Sequence, residues 1–296
     1  MKANSVREID IPNLSIFRRG KVRDVYELDG SLLFVASDRI SCFDVVLPDA
    51  IPYKGVVLNR LSHFWFGLTK DIIGNHCLGL NISEYPGLES YADLLKGRSM
   101  IVKRAEPVPF EYIVRGYLAG SGWKDYRNTR EVSGIKLAEG MKEAQKFQEP
   151  IFTPSTKEDS GHDVAVSFDF MKDKIGSRLA SEIRAKSIEL YNFAEKYAGE
   201  RGIIIADTKF EFGLLGGELM LIDELFTPDS SRFWPKESYR EGRSQESYDK
   251  QYVRDWLENS GWDKTPPAPN LPGDIIERTS KKYLAAYKSI TGEDLF

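Results

Sequence analysis

Carboxylates and a lysine alternate along one predicted strand in the second half of the chain. Within Ala206–Gly213, Asp207, Lys209 and Glu211 occupy every second position. Because successive side chains of a strand point to opposite faces, these three share one face and the aromatic residues between them share the other. Carboxylate oxygens are the ligands that Mg²⁺ prefers, and a lysine neutralises phosphoryl charge, so the pattern suits a Mg-nucleotide site. A solvated strand face with cross-strand ion pairs is the structural alternative.

The next predicted strand, Leu221–Leu225, carries two more acids in an apolar run. These are Asp223 and Glu224. Burying a carboxylate without a cation is costly, which weakens the purely structural alternative. The two strands therefore predict an acidic site between them.

The register of this hairpin decides which acids meet. A two-glycine turn sets Ile222, rather than Asp223, opposite Glu211, and it sets Glu224 opposite Lys209. A bulge or a longer turn would bring Asp223 onto the face of Glu211. The sequence leaves both registers open.

Two glycine-containing segments offer cations to an anionic ligand. Arg19–Arg23 combines one glycine with three basic side chains, so its backbone amides and Lys21 suit contact with phosphates. Arg115–Gly122 combines an arginine, three glycines and the Ser121 hydroxyl, which suits close approach to a phosphate or carboxylate. A solvated basic turn and a strand-to-helix connection are the respective structural alternatives.

Three further segments supply hydroxyls and cations near the predicted strands. Thr227–Arg232 follows the acid-bearing strand, and Ser37–Ser41 follows the first hairpin. Phe152–Lys157 and His162 lie in a long loop, and loops of that length are often functional.

The first half of the chain is rich in strand signals. Val22–Leu28 and Leu32–Ala36 flank Asp29-Gly30, a turn dipeptide that predicts a hairpin. Ser99–Ala105 is a further strand that the prolines at 107 and 109 end. Between them, apolar residues at helical spacing predict one helix: Val57, Leu61, Trp65, Leu68 and Ile72.

The second half contains the strongest helix signal. Its apolar stripe consists of Leu179, Ile183, Leu190, Ala194 and Tyr197. Glu182 and Lys186 are spaced to pair on its wet face. After the acidic hairpin, Tyr248–Leu257 predicts a helix, and Asp274 with Glu277 predicts a capping box for a last one. We expect a helical C-terminal appendage, and a boundary that divides the chain into a β-rich lobe, 1–106, and a larger α+β lobe, 107–296.

Composition limits the classes of function. The 296 residues carry 41 Lys+Arg against 45 Asp+Glu, a net charge of −4, so no global positive field attracts nucleic acid or anionic membranes. Two cysteines without metal-ligand spacing fit a reducing, cytoplasmic compartment, and no signal peptide or membrane span is predicted. Three scattered histidines disfavour a histidine-built zinc site, so a metal would be held by carboxylates.

Taken together, six segments resemble the SAICAR synthetase (phosphoribosylaminoimidazole-succinocarboxamide synthase) family. The resemblance runs in order from about Gly20 to Trp234. The segments are Gly20–Tyr26, Ser37–Asp44, Val114–Ser121, Phe152–Lys157, Asp207–Gly213 and Ile222–Arg232.

This resemblance implies a fold and a reaction. The fold is α+β and two-lobed, related to ATP-grasp enzymes and kinases, with antiparallel sheets and nucleotide between the lobes. The reaction joins L-aspartate to the carboxylate of 5-amino-1-(5-phosphoribosyl)imidazole-4-carboxylate (CAIR, here called the ribotide). ATP and Mg are used, ADP and phosphate are released, and an acyl phosphate is the intermediate. An enzyme of this kind needs no protein nucleophile, and the sequence offers no nucleophile motif.

The resemblance also implies roles for individual residues. Lys21, Asp207 and Lys209 are the expected catalytic residues, and Glu211 and Asp223 the expected Mg ligands. The expected ATP-binding residues are Gly20, Lys21, Val22, Arg23, Val102, Lys103 and Glu106. The expected substrate-binding residues are Asp38, Arg39, Ser41, Arg115, Ser121, Lys157, Asp229 and Arg232.

Two departures from the family pattern bear on these expectations. Cys42 stands where many relatives have alanine, a change between small residues that leaves the pocket intact. Asp125–Gln148 and the C-terminal helices resemble the longer members of the family rather than the shorter ones. Either a monomer or a homodimer is therefore expected.

Two other functions compete with the ligase. One is a small-molecule kinase of similar architecture, although no protein-kinase motif is present. The other is a catalytically inactive nucleotide-binding module, against which the presence of both Glu211 and Asp223 argues.

Overall fold

The computed structural model describes residues 5–157 and 163–296. His162 lies outside the described residues. The strands are β1 (Ile16–Arg19), β2 (Arg23–Leu28), β3 (Ser31–Ala36), β4 (Arg39–Cys42), β5 (Val45–Ala50), β6 (Cys77–Gly79), β7 (Ser99–Lys103), β8 (Glu106–Pro107), β9 (Phe110–Tyr117), β10 (Glu131–Val132), β11 (Ile135–Lys136), β12 (Lys146–Thr156), β13 (Ile203–Leu215), β14 (Glu218–Ile222) and β15 (Ser231–Pro235). The helices are α1 (Lys54–Leu68), α2 (Ala92–Leu95), α3 (Gly120–Thr129), α4 (Phe168–Ile175), α5 (Ser177–Gly199), α6 (Gln251–Asn259) and α7 (Gly273–Thr291).

Two antiparallel sheets dominate the described part of the chain, and they confirm the α+β prediction. The first has five strands in the order β1-β2-β3-β7-β6. Its central hairpin is the predicted one, because Asp29 and Gly30 both have positive φ, 21° and 77°, between paired Leu28 and Ser31. The second sheet has six strands built around β13.

Strand β13 is the axis of the second sheet. Asp207–Phe210 pairs with β9, and Glu211 begins the pairing with β14. Ile222 lies opposite Glu211, as the two-glycine turn predicts. The prediction that Glu224 lies opposite Lys209 is wrong, because β14 ends at Ile222 and the backbone N–H of Lys209 donates instead to the Ser230 carbonyl oxygen (2.9 Å).

The other face of β13 forms the core. Phe210 and Phe212 are fully buried, and the ring of Phe210 meets that of Phe226 edge to face with centroids 5.3 Å apart. The same Phe226 ring lies 5.1 Å from the ring of Trp65 on α1. Burial of these rings fixes which face of β13 remains for polar side chains.

Helix α1 is shorter than its apolar pattern suggests. It ends at Leu68, whose side chain is exposed, and Ile72 lies beyond it. Helix α5 carries the predicted stripe, but Lys186 forms its ion pair with Glu189 (2.9 Å) rather than with Glu182. Pairs at three-residue spacing are as accessible on a helix surface as pairs at four.

The C-terminal helices are integrated with the first half of the chain and are not an appendage. Helix α7 packs against α1, and one apolar cluster joins Ile40 and Leu47 to Val253 and Ile275. The predicted capping box is wrong, since α7 is capped by Pro272 without a side-chain hydrogen bond. Helix α6 begins at Gln251, three residues after the predicted start. The boundary at 106/107 stays a prediction.

None of the helices in the described ranges has the length and apolar character that crossing a membrane requires.

Candidate active site

A cavity of about 780 Å³ lies between the two sheets. Its apolar wall includes Val25, Leu32 and Phe34 from the first sheet and Ile222 from the second. The cavity is also lined by most of the predicted nucleotide and metal residues, by the predicted catalytic Lys209 and by the predicted substrate-binding Lys157. The nucleotide and metal residues are Gly20, Lys21, Val22, Arg23, Lys103, Glu106, Glu211 and Asp223. A cavity lined by both apolar and charged residues suits a ligand with a flat ring and a phosphate tail.

Asp223 reaches the cavity through its backbone conformation. It is the first residue after β14 and has φ 66°, in the left-handed region that a residue with a short polar side chain tolerates best after glycine. This reversal ends the ladder one residue after Ile222 and brings Asp223 to the cavity that Glu211 also lines. No bulge or longer turn is needed to bring the two acids to one site.

Each of these acids contacts a cation. The Lys157 ammonium contacts the Glu211 carboxylate, and the Arg23 guanidinium contacts the Asp223 carboxylate. Arg23 also lies 3.4 Å from Glu224. Burial disfavours the charge on Arg23, but the carboxylates of Asp223 and Glu224 outweigh it and raise the pKa of Arg23. Arg23 is therefore held in its charged form beside these acids.

Glu224 and Asp223 differ in their electrostatics although they are adjacent. Burial raises the pKa of the Glu224 carboxyl, against the opposing effect of Arg23. Burial acts in the same direction on Asp223, but there Arg23 and Lys209 prevail and lower its pKa. Asp223 therefore keeps its negative charge to a lower pH than Glu224, which makes it the more suitable of the two as a hard-oxygen ligand.

Lys209 projects from β13 into the same cavity. Its ammonium contacts the carboxylate of Glu111 on β9. Burial disfavours the charge on Lys209, but Glu111 and Glu211 reverse that effect and raise its pKa. Lys209 is thus a permanent cation beside the two acids.

The loop between β1 and β2 is anchored from below by Arg39. Its Nε donates to the carbonyl oxygen of Lys21 (3.0 Å), and its Nη2 donates to the carbonyl oxygen of Gly20 (3.2 Å). A Cβ at Gly20 would lie 2.8 Å from the carbonyl oxygen of Arg23, so the turn requires glycine. Lys21 itself contacts Asp44 at the mouth of the cavity.

Seven predicted site residues do not line this cavity, and three of them, Asp38, Arg39 and Val102, lie within or beside the first sheet. Asp38 is fully buried, where it accepts hydrogen bonds from Arg98 (3.1 Å) and from the backbone N–H of Gly55 (2.8 Å). Arg39 supports the loop as described above. Val102 is fully buried in the core, whereas the next residue of the same strand, Lys103, lines the cavity. Ser41 and Asp229, by contrast, do line it.

Asp207 lies at the other end of the polar face of β13 and does not line the large cavity. The Arg115 guanidinium donates to its Oδ2 (3.0 Å), and Arg232 contacts the same oxygen. Arg115 also donates to the Oγ of Ser121 (3.0 Å) and, through Nε, to the Oγ1 of Thr153 (3.1 Å). Asp207 is therefore a buried counterion for two arginines, and its catalytic role stays a prediction.

Ser121 and Arg232 open onto a second cavity of about 280 Å³. A Cβ at Gly120, which has φ 56°, would overlap the guanidinium of Arg232. Lys124, Arg243 and Arg254 also line this cavity, together with the acids Glu143, Asp249 and Glu258, so basic side chains outnumber acidic ones in its wall by one. Such a wall suits a phosphate dianion.

Several residues of the two cavities were missed by sequence reasoning. Glu111 could have been predicted from the sequence, because it lies four residues before Arg115 on β9 and so shares its face of the strand. His76 lines the large cavity, and burial lowers its pKa to about 4. Lys54 and Lys250 meet Asp229 only through tertiary packing, and no local pattern marks them.

The donor set suits Mg²⁺ bound together with a nucleotide. Glu211 and Asp223 supply hard carboxylate oxygens, and the described residues contain no cluster of three or more protein ligands for a metal ion. Mg²⁺ usually binds through one or two carboxylates plus substrate phosphates and water, rather than in an all-protein cage. The chemistry of the site is thus compatible with this ion.

Comparison with known proteins gives consistent results. The family model described as SAICAR synthetase matches residues 16–269. The phosphoribosylaminoimidazole-succinocarboxamide synthase of Thermodesulfovibrio yellowstonii is 52% identical over 289 residues, which is 97% of this chain and 99% of that protein. The solved SAICAR synthase from Saccharomyces cerevisiae, complexed with SAICAR, has a TM-score of 0.90 at 42% identity and covers 98% of this chain and 99% of its own. A solved SAICAR synthetase in complex with ADP has a TM-score of 0.70 at 25% identity, with coverage of 95% and 99%.

Proposed function

This chain belongs to the SAICAR synthetase family, and we propose that its two cavities divide the substrates between them. The chain is an ATP-dependent ligase of purine biosynthesis, which joins L-aspartate to the ribotide carboxylate and gives SAICAR, ADP and phosphate. The kinase and inactive-module alternatives are not favoured. In our proposal the large cavity takes the nucleotide, and the small cavity at Ser121 and Arg232 takes the phosphate end of the ribotide.

The observation that carries this assignment is the joint lining of one cavity by Glu211, Asp223 and Lys209. The apolar residues of the first sheet that line the cavity, Val25, Leu32 and Phe34, would receive the adenine, next to Lys103 and Glu106. The loop Gly20–Arg23 would cover the phosphates, with Lys21 contacting them.

Glu211 and Asp223 would hold Mg²⁺ together with the nucleotide phosphates. The ion, when bound, would neutralise charge on the phosphoryl oxygens. Lys157 and Arg23, which contact these two acids, would then be available to the transferred phosphoryl group.

The ribotide would bind with its phosphate at Ser121 and Arg232. Arg115 donates hydrogen bonds to Asp207, Ser121 and Thr153, so it would hold the Ser121 hydroxyl in place and contribute positive charge next to the phosphate. Ser41 and Asp229 line the large cavity and would lie at the end of the ribotide that carries the reacting carboxylate.

The reaction then requires only positioning and charge neutralisation. An oxygen of the ribotide carboxylate attacks the γ-phosphorus of ATP, and ADP leaves. The aspartate amine attacks the resulting acyl phosphate at carbon, phosphate leaves, and the nitrogen loses a proton. Lys209 and Lys21 would offset the charge that develops on the phosphoryl oxygens, so no protein nucleophile takes part.

A coupled assay of ADP release tests the assignment. With Mg²⁺, ATP and the ribotide present, we expect ADP release to depend on L-aspartate and SAICAR to form in equal amount. Phosphate transfer to the ribotide without any need for aspartate would instead indicate a kinase. A cytoplasmic location and a monomeric or homodimeric state stay predictions, the latter testable by analytical ultracentrifugation.

A further inference from the structure

Asp229 is held by groups from three other parts of the fold. Its Oδ2 lies 2.7 Å from the ammonium of Lys54 at the start of α1. Its Oδ1 accepts a hydrogen bond from the hydroxyl of Tyr283 on α7 (2.6 Å). The ammonium of Lys250, next to α6, lies 3.9 Å from Oδ2.

The location of Lys54 is unfavourable apart from this contact. Its side chain is 0% exposed, and burial lowers its pKa against the opposing effect of Asp229. It is also the first residue of α1, where the helix dipole disfavours a cation. The preceding residue, Tyr53, has φ 68°, in the left-handed region that is strained for an aromatic residue. Costs of this kind concentrate at functional sites.

The group has a side that faces substrate and a side that does not. Asp229 and Lys250 line the large cavity, whereas Lys54 and Tyr283 do not. Tyr283 is itself fully buried, and the Lys54 ammonium lies 5.7 Å from the centroid of its ring. Lys54 and Tyr283 therefore hold the Asp229 carboxylate from the side away from the cavity, and each contacts one of its oxygens.

We propose that Lys54 and Tyr283 are positioning residues that orient the Asp229 carboxylate for the ribotide, which makes helix α7 part of the substrate site. The inference rests on the proposed function, because Asp229 is assigned there to the ribotide. With one oxygen fixed by each partner, the carboxylate keeps a single orientation towards the cavity. Loss of either partner would let it rotate and reduce its contact with substrate.

Tyr283→Phe tests the inference with the least disturbance, because it removes one hydroxyl and keeps the ring. A hydrogen bond to a charged group is worth enough to change an equilibrium constant roughly 10-fold. We expect KM for the ribotide to rise about 10-fold while KM for ATP stays within about twofold. Direct titration of the ribotide into the enzyme should show the same loss of affinity.

Tyr287→Phe is the matched control. Tyr287 lies one turn further along α7 and is also buried, but its hydroxyl has no hydrogen bond to any residue that the structure describes. We expect its kinetics to equal those of the unaltered enzyme. If Tyr283→Phe matched Tyr287→Phe, or if it raised both KM values in parallel with a loss of thermal stability, the positioning role would be refuted.

The double variant Lys54→Met/Asp229→Asn provides a second test, which can be used even if Lys54→Met alone does not fold. Removing both charges leaves neither member of the Lys54–Asp229 pair buried without the other, and only the more exposed Lys250 ammonium loses a contact, so we expect most of the melting temperature to recover. Ribotide affinity should stay at least 10-fold reduced, whereas recovery of affinity together with stability would contradict the inference. The unaltered enzyme distinguishes failure of this inference from failure of the proposed function. If its ADP release did not require ribotide and aspartate, the proposed function itself would be refuted.

Discussion

The acids near the two ends of the polar face of β13 differ in how they are held, and one end includes Asp223, the residue after β14. At one end, Glu211 and Asp223 each contact one cation and line an open cavity, and the Asp223 side chain is 32% exposed. At the other end, Asp207 is 6% exposed and is fixed between Arg115 and Arg232. The first arrangement allows an acid to exchange its partner for another cation. In the second arrangement one buried carboxylate holds two arginine side chains in place.

Under the proposed assignment, the residues around one strand serve two kinds of recognition. Nucleotide binding with Mg²⁺ requires carboxylates that are charged and available. Recognition of a phosphate requires guanidinium groups in a fixed geometry. Substitutions at the two ends should therefore fail in different ways.

The largest effect is expected from removing charge at the open end. Glu211→Gln or Asp223→Asn should lower kcat by about 100- to 1,000-fold, because each removes electrostatic support for the transferred phosphoryl group. Thermal stability should change little, since both side chains are partly exposed. ADP release at saturating Mg²⁺ measures the effect, and near-normal turnover would remove the metal assignment.

Arg115→Ala should chiefly damage the rigid end. It leaves Asp207 buried with one partner fewer, which costs about 3–5 kcal/mol of unfolding free energy by analogy with other broken buried pairs. Ribotide affinity should fall and ATP affinity should not. Arg104→Ala is the control, because the Arg104–Glu27 pair is exposed and should contribute about 1 kcal/mol or less. Equal destabilisation by the two variants would contradict the difference between the regions.

Lys21→Ala should separate binding from stability at the open end. Its pair with Asp44 is half exposed, so the unfolding free energy should change by about 0.5 kcal/mol or less. KM for ATP should rise roughly 10-fold, because a charge-assisted contact to phosphate is lost. Denaturant unfolding and initial rates on the same samples measure both quantities, and a change in stability alone would argue against the phosphate role.

The smallest expected effect is a pH dependence of stability at Asp229. Burial would raise the pKa of this carboxyl, but Lys250 and Lys54 prevail and hold it below its ordinary value. Its contribution to stability is therefore present above the unfolded value, about pH 4, and is lost as the pH falls below that. The difference in melting temperature between the unaltered enzyme and Asp229→Asn should narrow between pH 6 and pH 3. A difference that widened over this range would mean that the folded-state pKa is raised.

Local patterns predict much of the fold and part of the site. Asp29-Gly30 predicts its hairpin because the turn depends on two residues alone, and the glycine turn predicts the pairing of Glu211 with Ile222. The Asp223 position could not be derived, because its left-handed backbone ends the strand and its contact is with Arg23, 200 residues away in sequence.

Residues inside a segment that resembles the family can have all their observed contacts within the protein. Asp38 lies in such a segment, but Arg98 and two backbone amides take up its oxygens. Asp207 shares its strand face with Lys209, but its partner on β9 is Arg115, which turns it into a counterion. Alternation along a strand predicts the face of a side chain, and only the neighbouring strands decide its role.

The most direct test of the central claim is a titration of ADP with Mg²⁺, and separately of the ribotide, into Glu211→Gln/Asp223→Asn. If the two acids tether the nucleotide through the ion, Mg-dependent ADP affinity should fall by at least 100-fold, since two charged contacts are lost, and ribotide affinity should stay unchanged. Undiminished affinity for ADP with Mg²⁺, or an equal loss of affinity for the ribotide, would contradict it.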